Sequence, residues 1–266
     1  MKSAAFTWAT PADLSAASRA LKSDAELRII AGGQSLGAML NLRVARPRGL
    51  LTISHLTALR GVADTASHVI IGACVTHAEI ADGLAPDIGQ QILPRIAQHI
   101  AYRAVRNRGT LGGSLCHADP AADWVCTLIA LGADVILYRD DAVPARAMTL
   151  QDFITGAFRT ALLPGEILRA VRIPRLSPQA RWGYFKACRK PGEFAHAMAA
   201  VLDDAPRRIH RAVLGAMGGR PLVLEGESLA SPRAAPYLAA HAGGLDTIDR
   251  HRQMIALQRA CAEAGL

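Results

Sequence analysis

TLGGSLCHADPAADW, residues 110–124, is the most informative stretch of this chain because it concentrates small and polar residues just before an apolar run. Two adjacent glycines precede a serine, a cysteine, a histidine and two aspartates. Glycine allows the backbone to adopt positive φ and to approach a ligand closely. The stretch therefore predicts a backbone surface that binds a small molecule, followed directly by a helix over 120–130.

A second glycine pair lies in IIAGGQSLGAML, residues 29–40, where a predicted strand ends and a helical turn follows. Successive N–H groups in such a turn form a concavity that binds anions, and a helix N-terminus adds a favourable dipole. Residues 109–114 share this pattern, so the two turns together predict a site that grips one diphosphate from both sides. A plain connector remains the alternative for each turn alone. Neither turn is a Walker A loop or a Rossmann fingerprint.

His117, Asp119 and Asp123 could suggest a metal site or a catalytic site. No second set of His or Cys residues lies at metal-ligand spacing, and no G-x-S-x-G motif is present. Asp119 before Pro120 is typical of a helix N-cap, and Asp123 is either an acid favoured in the first turn or a residue that faces the cleft. The sequence therefore predicts no catalytic residue and no metal ligand.

Composition limits the other function classes. The 266 residues carry a net charge of +8, almost wholly from arginine. The arginines are scattered and lack interleaved aromatic residues, which argues against nucleic acid, although an anionic partner stays possible. The five cysteines form no CxxC pair, so iron–sulfur clusters belong on another polypeptide. No apolar run is long enough to span a bilayer and no export signal is evident, so we expect a cytoplasmic protein.

The pattern of apolar residues predicts an α+β fold with a boundary near 172–180, where two prolines interrupt it. Helix starts are expected at Thr10, as N-cap before Pro11, and at Thr76, in a capping box with Glu79. An amphipathic helix is expected over 87–101. The tail is predicted to contain strands at about 182–188, 194–202 and 208–216 and helices at about 231–241 and 247–264.

Four motifs in this order resemble one family: AGGQSLGAMLNLR (31–43), IGACVTHAEI (71–80), VRNRGTLGGSLCHADPAAD (105–123) and RKPGEFAHAMAAV (189–201). The chain resembles the FAD-binding medium subunit of molybdenum hydroxylases of the carbon monoxide dehydrogenase and xanthine dehydrogenase type. The resemblance implies a two-lobed PCMH-type, vanillyl-alcohol-oxidase-like FAD-binding domain over 1–176, with lobes of about 1–56 and 57–176. It further implies a small C-terminal α+β domain over 177–266, with a three-stranded sheet and helices.

The resemblance also implies cofactor-binding residues. Two segments would hold the FAD diphosphate: Ile29, Ile30, Ala31, Gly32, Gly33, Gln34, Ser35 and Leu36, and Thr110, Leu111, Gly112, Gly113 and Ser114. Asp123 would bond the flavin, and the further contacts would be Ile100, Ala101, Glu193 and Phe194. The family usually has Asn where Ser114 stands and more often Asp where Glu193 stands. Phe194 would lie against the isoalloxazine ring, with a core strand residue as the alternative.

The function implied is electron transfer within an oxidoreductase. FAD on this chain would receive electrons from [2Fe–2S] clusters of a small partner subunit and pass them to an external acceptor. A large partner subunit would carry a molybdopterin-type molybdenum cofactor, and the assembly would be a dimer of heterotrimers. Two alternatives remain open: a stand-alone flavin-dependent oxidoreductase of the same fold, and a cofactor-free scaffold or basic nucleic-acid-binding protein.

Overall fold

A computed structural model describes residues 2–141, 145–226 and 245–266 of the chain. Within these residues the strands form a three-stranded sheet, a five-stranded sheet, a four-stranded sheet and a two-stranded hairpin. The strands are β1 Thr7–Ala9, β2 Leu27–Ile30, β3 Gly49–Thr52, β4 Val62–Asp64, β5 His68–Gly72, β6 Asp134–Tyr138, β7 Arg146–Thr149, β8 Ile154–Gly156, β9 Arg159–Thr160, β10 Ile167–Pro174, β11 Arg181–Ala187, β12 Ala197–Asp204, β13 Ile209–Gly215 and β14 Leu222–Glu225.

The helices lie between and after these strands. They are α1 Leu14–Ser23, α2 Leu36–Asn41, α3 His77–Ala81, α4 Ile92–His99, α5 Arg103–Arg106, α6 Leu111–His117, α7 Asp123–Ala130, α8 Leu150–Phe153 and α9 Thr247–Glu263. In the described ranges no helix combines the length and the apolar composition needed to cross a membrane. The α+β class predicted from the sequence is confirmed by this mixture of sheets and helices.

The N-terminal sheet is parallel, with strand order β1-β3-β2. Helix α1 covers it: Leu14 and Ala17 share a buried cluster with Leu51 and Ile53. The carboxyl end of β2 leads straight into the first glycine pair, so this small sheet fixes where that turn starts.

The five-stranded sheet is antiparallel, with strand order β4-β5-β10-β6-β7. Its apolar face supports the main core, where the side chains of Trp124 and Phe153 are wholly buried. Helix α7, which carries Trp124, is buried along its whole length. A helix surrounded on all sides by protein provides a rigid mount for the residue at its first position, Asp123.

The C-terminal sheet lies between two helices. Along β11 and β12, alternate side chains point to opposite faces, as strand geometry requires. Met198 and Ala200 join the main core with α7, whereas Ala197 and Ala199 pack in a separate cluster with α9. Tyr184 lies on the α7 side of β11, partly buried against that core. The C-terminal sheet therefore presents one face of β11 to the start of α7.

Two predicted helix caps are wrong. The N-cap of α1 is Asp13, whose carboxylate accepts a hydrogen bond from the N–H of Ala16 at 2.7 Å, so Thr10 lies outside the helix. Asp119 instead accepts from the N–H of Ala121 at 2.9 Å, which forms a turn through Pro120. The helix then starts three residues later than predicted because this turn takes up the intervening backbone. The predicted capping box of Thr76 and Glu79 is confirmed.

Two element boundaries and the number of strands in the C-terminal sheet also differ from the predictions. The helix expected over 87–101 covers only Ile92–His99, because Gln90 and Gln91 adopt positive φ before it. The strand expected over 194–202 is Ala197–Asp204. The C-terminal sheet has a fourth strand, β14, which pairs with β13 and corrects the expected three-stranded sheet. The predicted helix at 247–264 is confirmed, and the one at 231–241 lies outside the described residues.

Candidate functional site

The first glycine pair forms an open turn with unused donors. Gly33 has φ +71°, a conformation that favours glycine, and the helix α2 begins at Leu36. In the described part of the chain, the N–H groups of Gly33, Gln34 and Ser35 have no hydrogen-bond partner, and the side chain of Ser35 makes no capping bond. Gln34 and Ser35 are exposed. These free donors favour an anion-binding turn over a plain connector.

The residues that lead into this turn serve mainly to support it. Ile29 and Ala31 pack against the buried cluster of the N-terminal sheet. A β-carbon placed on Gly33 would lie 3.3 Å from Cδ1 of Ile30, so Ile30 supports the turn from beneath. Within the predicted segment 29–36, the free backbone donors therefore come from the turn and not from the residues that precede it.

The second glycine pair is built differently from the first, because it lies in the first turn of a helix rather than in an open turn. Thr110 is the N-cap of α6, and its hydroxyl accepts from the N–H of Gly113 at 3.1 Å. The N–H of Leu111 donates to the Val75 carbonyl at 2.9 Å, and that of Gly112 to the Ala73 carbonyl at 2.8 Å. These N–H groups are not available to a ligand, because the start of α6 docks on the loop after β5 and donates them to that loop.

The second segment packs closely on the loop after β5 and leaves one hydroxyl group, that of Ser114, free. A β-carbon on Gly112 would lie 2.5 Å from the β-carbon of Ala73, so glycine is required where α6 meets that loop. Gly113 is exposed, and Ser114 is half-buried with no hydrogen bond to its hydroxyl among the described residues. The Ser114 hydroxyl is thus the free polar group of this segment.

The two glycine segments meet directly. A β-carbon on Gly32 would overlap the carbonyl oxygen of Arg108 and lie 2.9 Å from Cα of Gly109. On the far side of Gly109, the N–H of His77 donates to the Gly109 carbonyl at 2.9 Å. The turn after β2 and the segment before α6 therefore lie against each other, and one ligand can reach both.

Four other predicted contacts also come together. Ile100 forms an isolated parallel bridge with Gly192, and a β-carbon on Gly192 would lie 2.8 Å from the Ala101 carbonyl oxygen. Glu193 and Phe194 follow Gly192 immediately. The ring of Phe194 is 65% exposed, so its alternative role as a core strand residue is wrong. An exposed aromatic ring beside an apolar segment is suited to stack on a flat ligand.

Glu193 is engaged by its neighbours. Its carboxylate receives hydrogen bonds from Arg189 at 3.3 Å and lies 3.6 Å from Nζ of Lys190. The hydrogen bond from Arg189 lowers the pKa of the Glu193 carboxyl. Arg189 and Lys190 are exposed and can rearrange, so the position of the Glu193 carboxylate is less fixed than that of the glycine segments.

Asp123 is held in a buried polar network that the sequence did not reveal. Its carboxylate accepts a hydrogen bond from the Tyr184 hydroxyl at 2.7 Å and two from Nζ of Lys186, both at 3.0 Å. The side chains of Lys186 and Asp123 are 7% and 6% exposed. Burial, together with the nearby Asp123 charge, raises the pKa of Tyr184 well above its usual value. Tyr184 therefore stays protonated and donates to Asp123.

The sequence indicates only that Lys186 needs an acidic partner, and not which residue that partner is. Tyr184 and Lys186 alternate along β11, so both point to the face that meets α7. A lysine on the inner face of a strand is expected to have a buried acid as partner, because an unpaired buried charge is costly. Asp123 is that acid.

His77 and Trp124 form a second buried pair beneath the glycine segments. The indole N–H of Trp124 donates to Nδ1 of His77 at 3.0 Å, which places the histidine proton on Nε2. Burial first, and the Arg106 charge second, lower the pKa of His77 to about 4. The ring is therefore neutral at ordinary pH. A β-carbon on Gly109 would lie 3.0 Å from Nε2, so the ring supports the glycine segment from behind.

The other polar residues after the second glycine pair lie apart from this network. The ring of His117 packs on Phe158, with centroids 5.2 Å apart, and Asp119 belongs to the turn at Pro120. Across residues 2–141, 145–226 and 245–266, no three His, Cys, Asp or Glu side chains converge as metal ligands would.

Comparison with known proteins gives a consistent family. A family model described as the FAD binding domain in molybdopterin dehydrogenase matches residues 4–176. The medium subunit of nicotine 6-hydroxylase from Paenarthrobacter nicotinovorans is 34% identical over 258 residues, which cover 93% of this chain and 90% of that protein. Caffeine dehydrogenase subunit beta from a Pseudomonas species is 32% identical over 212 residues, or 78% of this chain and 70% of that subunit.

A solved structure agrees over the whole length. A chain of carbon monoxide dehydrogenase from Hydrogenophaga pseudoflava, in a form that lacks the Mo-pyranopterin moiety of its molybdenum cofactor, superposes with a TM-score of 0.89. The two chains are 26% identical, and the match covers 100% of this chain and 99% of that one. The C-terminal sheet and α9 are therefore part of the shared architecture.

Proposed function

This chain belongs to the family of FAD-binding domains of molybdopterin dehydrogenases, and on that premise we propose that it is the FAD-carrying subunit of a multi-subunit molybdenum hydroxylase. The observation that carries the proposal is the direct contact of Gly32 with the Arg108–Gly109 backbone. It brings both segments expected to hold the diphosphate to one place on the protein.

The residues present fit an FAD molecule. The unused N–H groups of Gly33, Gln34 and Ser35 suit a diphosphate, because backbone donors need no charge to bind an anion. The Ser114 hydroxyl can donate where the family usually places an amide. Ile100 and the exposed ring of Phe194 offer apolar surface for a flat ring system.

We propose that the Asp123 carboxylate orients the flavin by accepting a hydrogen bond from it. Lys186 and Tyr184 hold its carboxylate at a fixed position on α7, so the oxygen atoms need no reorganisation when a ligand N–H arrives. FAD supplies the redox centre when it is bound. This chain's own residues would bind the cofactor and fix its orientation, and none of them needs to act as an acid or base on a substrate.

The electron route follows from the family. We propose that electrons reach this chain from [2Fe–2S] clusters on a small partner subunit, that a large partner subunit carries the molybdenum cofactor, and that an external acceptor oxidises the flavin. Relatives described as medium or beta subunits of larger enzymes support this arrangement over a stand-alone oxidoreductase. A dimer of heterotrimers and a cytoplasmic location are our further proposals.

We also propose the division of the chain into an FAD-binding domain over 1–176, with lobes of about 1–56 and 57–176, and a C-terminal domain over 177–266. The parallel sheet β1-β3-β2 and the antiparallel sheet β4-β5-β10-β6-β7 support the two lobes. The C-terminal domain supplies Tyr184 and Lys186, so we expect it to be required for the complete site.

The test is co-purification and cofactor analysis. The chain carrying an affinity tag, expressed from its native host, should bring down two further polypeptides together with molybdenum, iron and one FAD per copy of this chain. Purification of the chain without partners, or of a complex that contains no flavin, would refute the proposed function.

A further inference from the structure

The segment that joins α4 to α5 is held in an unfavourable backbone conformation. Ala101 has φ +43°, in the left-handed region that residues other than glycine, asparagine and aspartate seldom adopt. Such a conformation persists only where the surroundings impose it. Gly192, whose own φ is +86°, packs directly against the Ala101 carbonyl.

A single side chain secures this segment from within. Nη1 of Arg106 donates to the carbonyl oxygens of Ile100 and Ala101, both at 3.0 Å. Helix α4 ends at His99 and α5 starts at Arg103, so neither helix provides a partner for these two carbonyls. The guanidinium group provides it, with a charge that strengthens both bonds.

The same arginine lies behind the second glycine segment. Its positive charge contributes to the lowered pKa of His77, whose ring supports Gly109. Helix α5 also connects to that segment through its backbone, because the N–H of Gly109 donates to the Val105 carbonyl at 2.7 Å. Nε of Arg106 is also buried and has no hydrogen-bond partner among the described residues.

We propose that Arg106 is a positioning residue for the flavin: by binding the Ile100 and Ala101 carbonyls, it sets the conformation of the apolar segment against which the cofactor and the Gly192–Phe194 loop rest. The proposal depends on the proposed function for its cofactor part. Its structural part concerns the chain alone.

Arg103 provides a matched control. It lies one turn earlier on the same short helix and pairs with exposed Asp82, at 2.7 and 2.6 Å from its carboxylate oxygens. Arg103→Gln thus removes an equal charge from α5 without touching the Ile100 and Ala101 carbonyls.

The experiment measures two quantities on the full 266-residue chain: amide hydrogen exchange without cofactor, and the FAD dissociation constant with the flavin absorption spectrum. In Arg106→Gln we expect faster exchange over residues 98–104 and 190–195. FAD binding should be about tenfold to a hundredfold weaker, the loss that corresponds to one hydrogen bond to a charged group. Arg103→Gln should match the wild type in both.

Arg106→Lys separates positioning from a general loss of fold, because lysine keeps the charge but its side chain is one atom shorter and cannot place a nitrogen where Nη1 lies. We expect a native thermal transition and an FAD affinity between those of the wild type and Arg106→Gln. Wild-type exchange over 98–104 in Arg106→Gln, or wild-type FAD affinity in both Arg106 variants, would overturn the proposal. A wild-type chain that binds no FAD would refute the proposed function, whereas the exchange measurement would still decide whether Arg106 holds the segment.

Discussion

Lys186, on the C-terminal sheet, donates to both carboxylate oxygens of Asp123, on the first turn of α7, at 3.0 Å. The two residues are 63 positions apart in sequence, and both are almost fully buried. This pair joins the C-terminal sheet to the helix that follows the second glycine segment. The site is therefore assembled from both parts of the chain.

The first prediction concerns this pair. Lys186→Met leaves the Asp123 charge buried without its partner, so we expect the free energy of unfolding to fall by about 3–5 kcal/mol. The double variant Asp123→Asn with Lys186→Met should recover part of that loss, because it removes the charge as well. Urea unfolding measures both. Lys22→Met, which breaks an exposed pair with Asp141, should cost less than about 1 kcal/mol. Equal losses in the two lysine variants would contradict the buried pair.

The second prediction concerns pH. His77 has a folded-state pKa of about 4, below its unfolded value of 6.5, so the unfolded chain binds the proton more tightly. The stability that depends on neutral His77 is fully present above pH 6.5 and is lost as pH falls towards 4. The contribution is about 3 kcal/mol by linkage.

The measurement is chemical unfolding at a series of pH values for the wild type and for His77→Asn, which keeps an acceptor for the Trp124 indole. Acidic residues titrate in both proteins, so the difference between the two curves isolates the histidine. That difference should change by most of the expected amount between pH 6.5 and 4. A constant difference across this window would show that the ring is not buried in its neutral form.

The third prediction tests the contact between the glycine segments. Gly32→Ala places a methyl group on the Arg108 carbonyl, so the segments must separate. We expect FAD affinity to fall about tenfold or more, with a stability loss of about 1–3 kcal/mol from overpacking. Gly61→Ala is the control, since a β-carbon there meets no atom within 4 Å. The measurement is titration of each variant with FAD, followed by flavin fluorescence. Equal FAD affinity in the two variants would contradict the contact.

The fourth prediction concerns Phe194. Because its ring is 65% exposed, Phe194→Ala should leave the unfolding free energy nearly unchanged while it weakens FAD binding. Ile248→Ala, a truncation at a side chain that is 61% exposed on α9, should affect neither. A loss of stability in Phe194→Ala without a loss of affinity would mean that the ring supports the fold rather than a ligand.

Several helices and strands could be predicted from the sequence because local residue patterns determine where they begin and end. The end of the strand at Ile30, the capping box at Thr76 and the helix at Thr247–Glu263 depend on neighbouring residues, so pattern alone located them. The start of α7 was missed because an Asp side chain can accept a hydrogen bond either as a helix N-cap or in a turn, and Asp119 does the second.

The sequence located the segments that form the candidate site but not the hydrogen-bond partners of their residues. Glycine pairs signalled close approach, yet nothing in residues 110–114 reveals that Ala73 and Val75 take up the helix-start donors. The network of Asp123, Tyr184 and Lys186 depends on a contact between distant elements, and so does the support of Gly109 by His77. Such contacts arise from tertiary packing, which a single sequence does not display.

The central claim is that both glycine segments contact one FAD diphosphate, and a crystal structure of the chain with bound FAD tests it most directly. We predict diphosphate oxygens within hydrogen-bond distance of the N–H groups of Gly33, Gln34 or Ser35, with residues 110–114 on the opposite side of the same diphosphate. A diphosphate that contacts only one segment, or FAD bound elsewhere on the chain, would contradict the account.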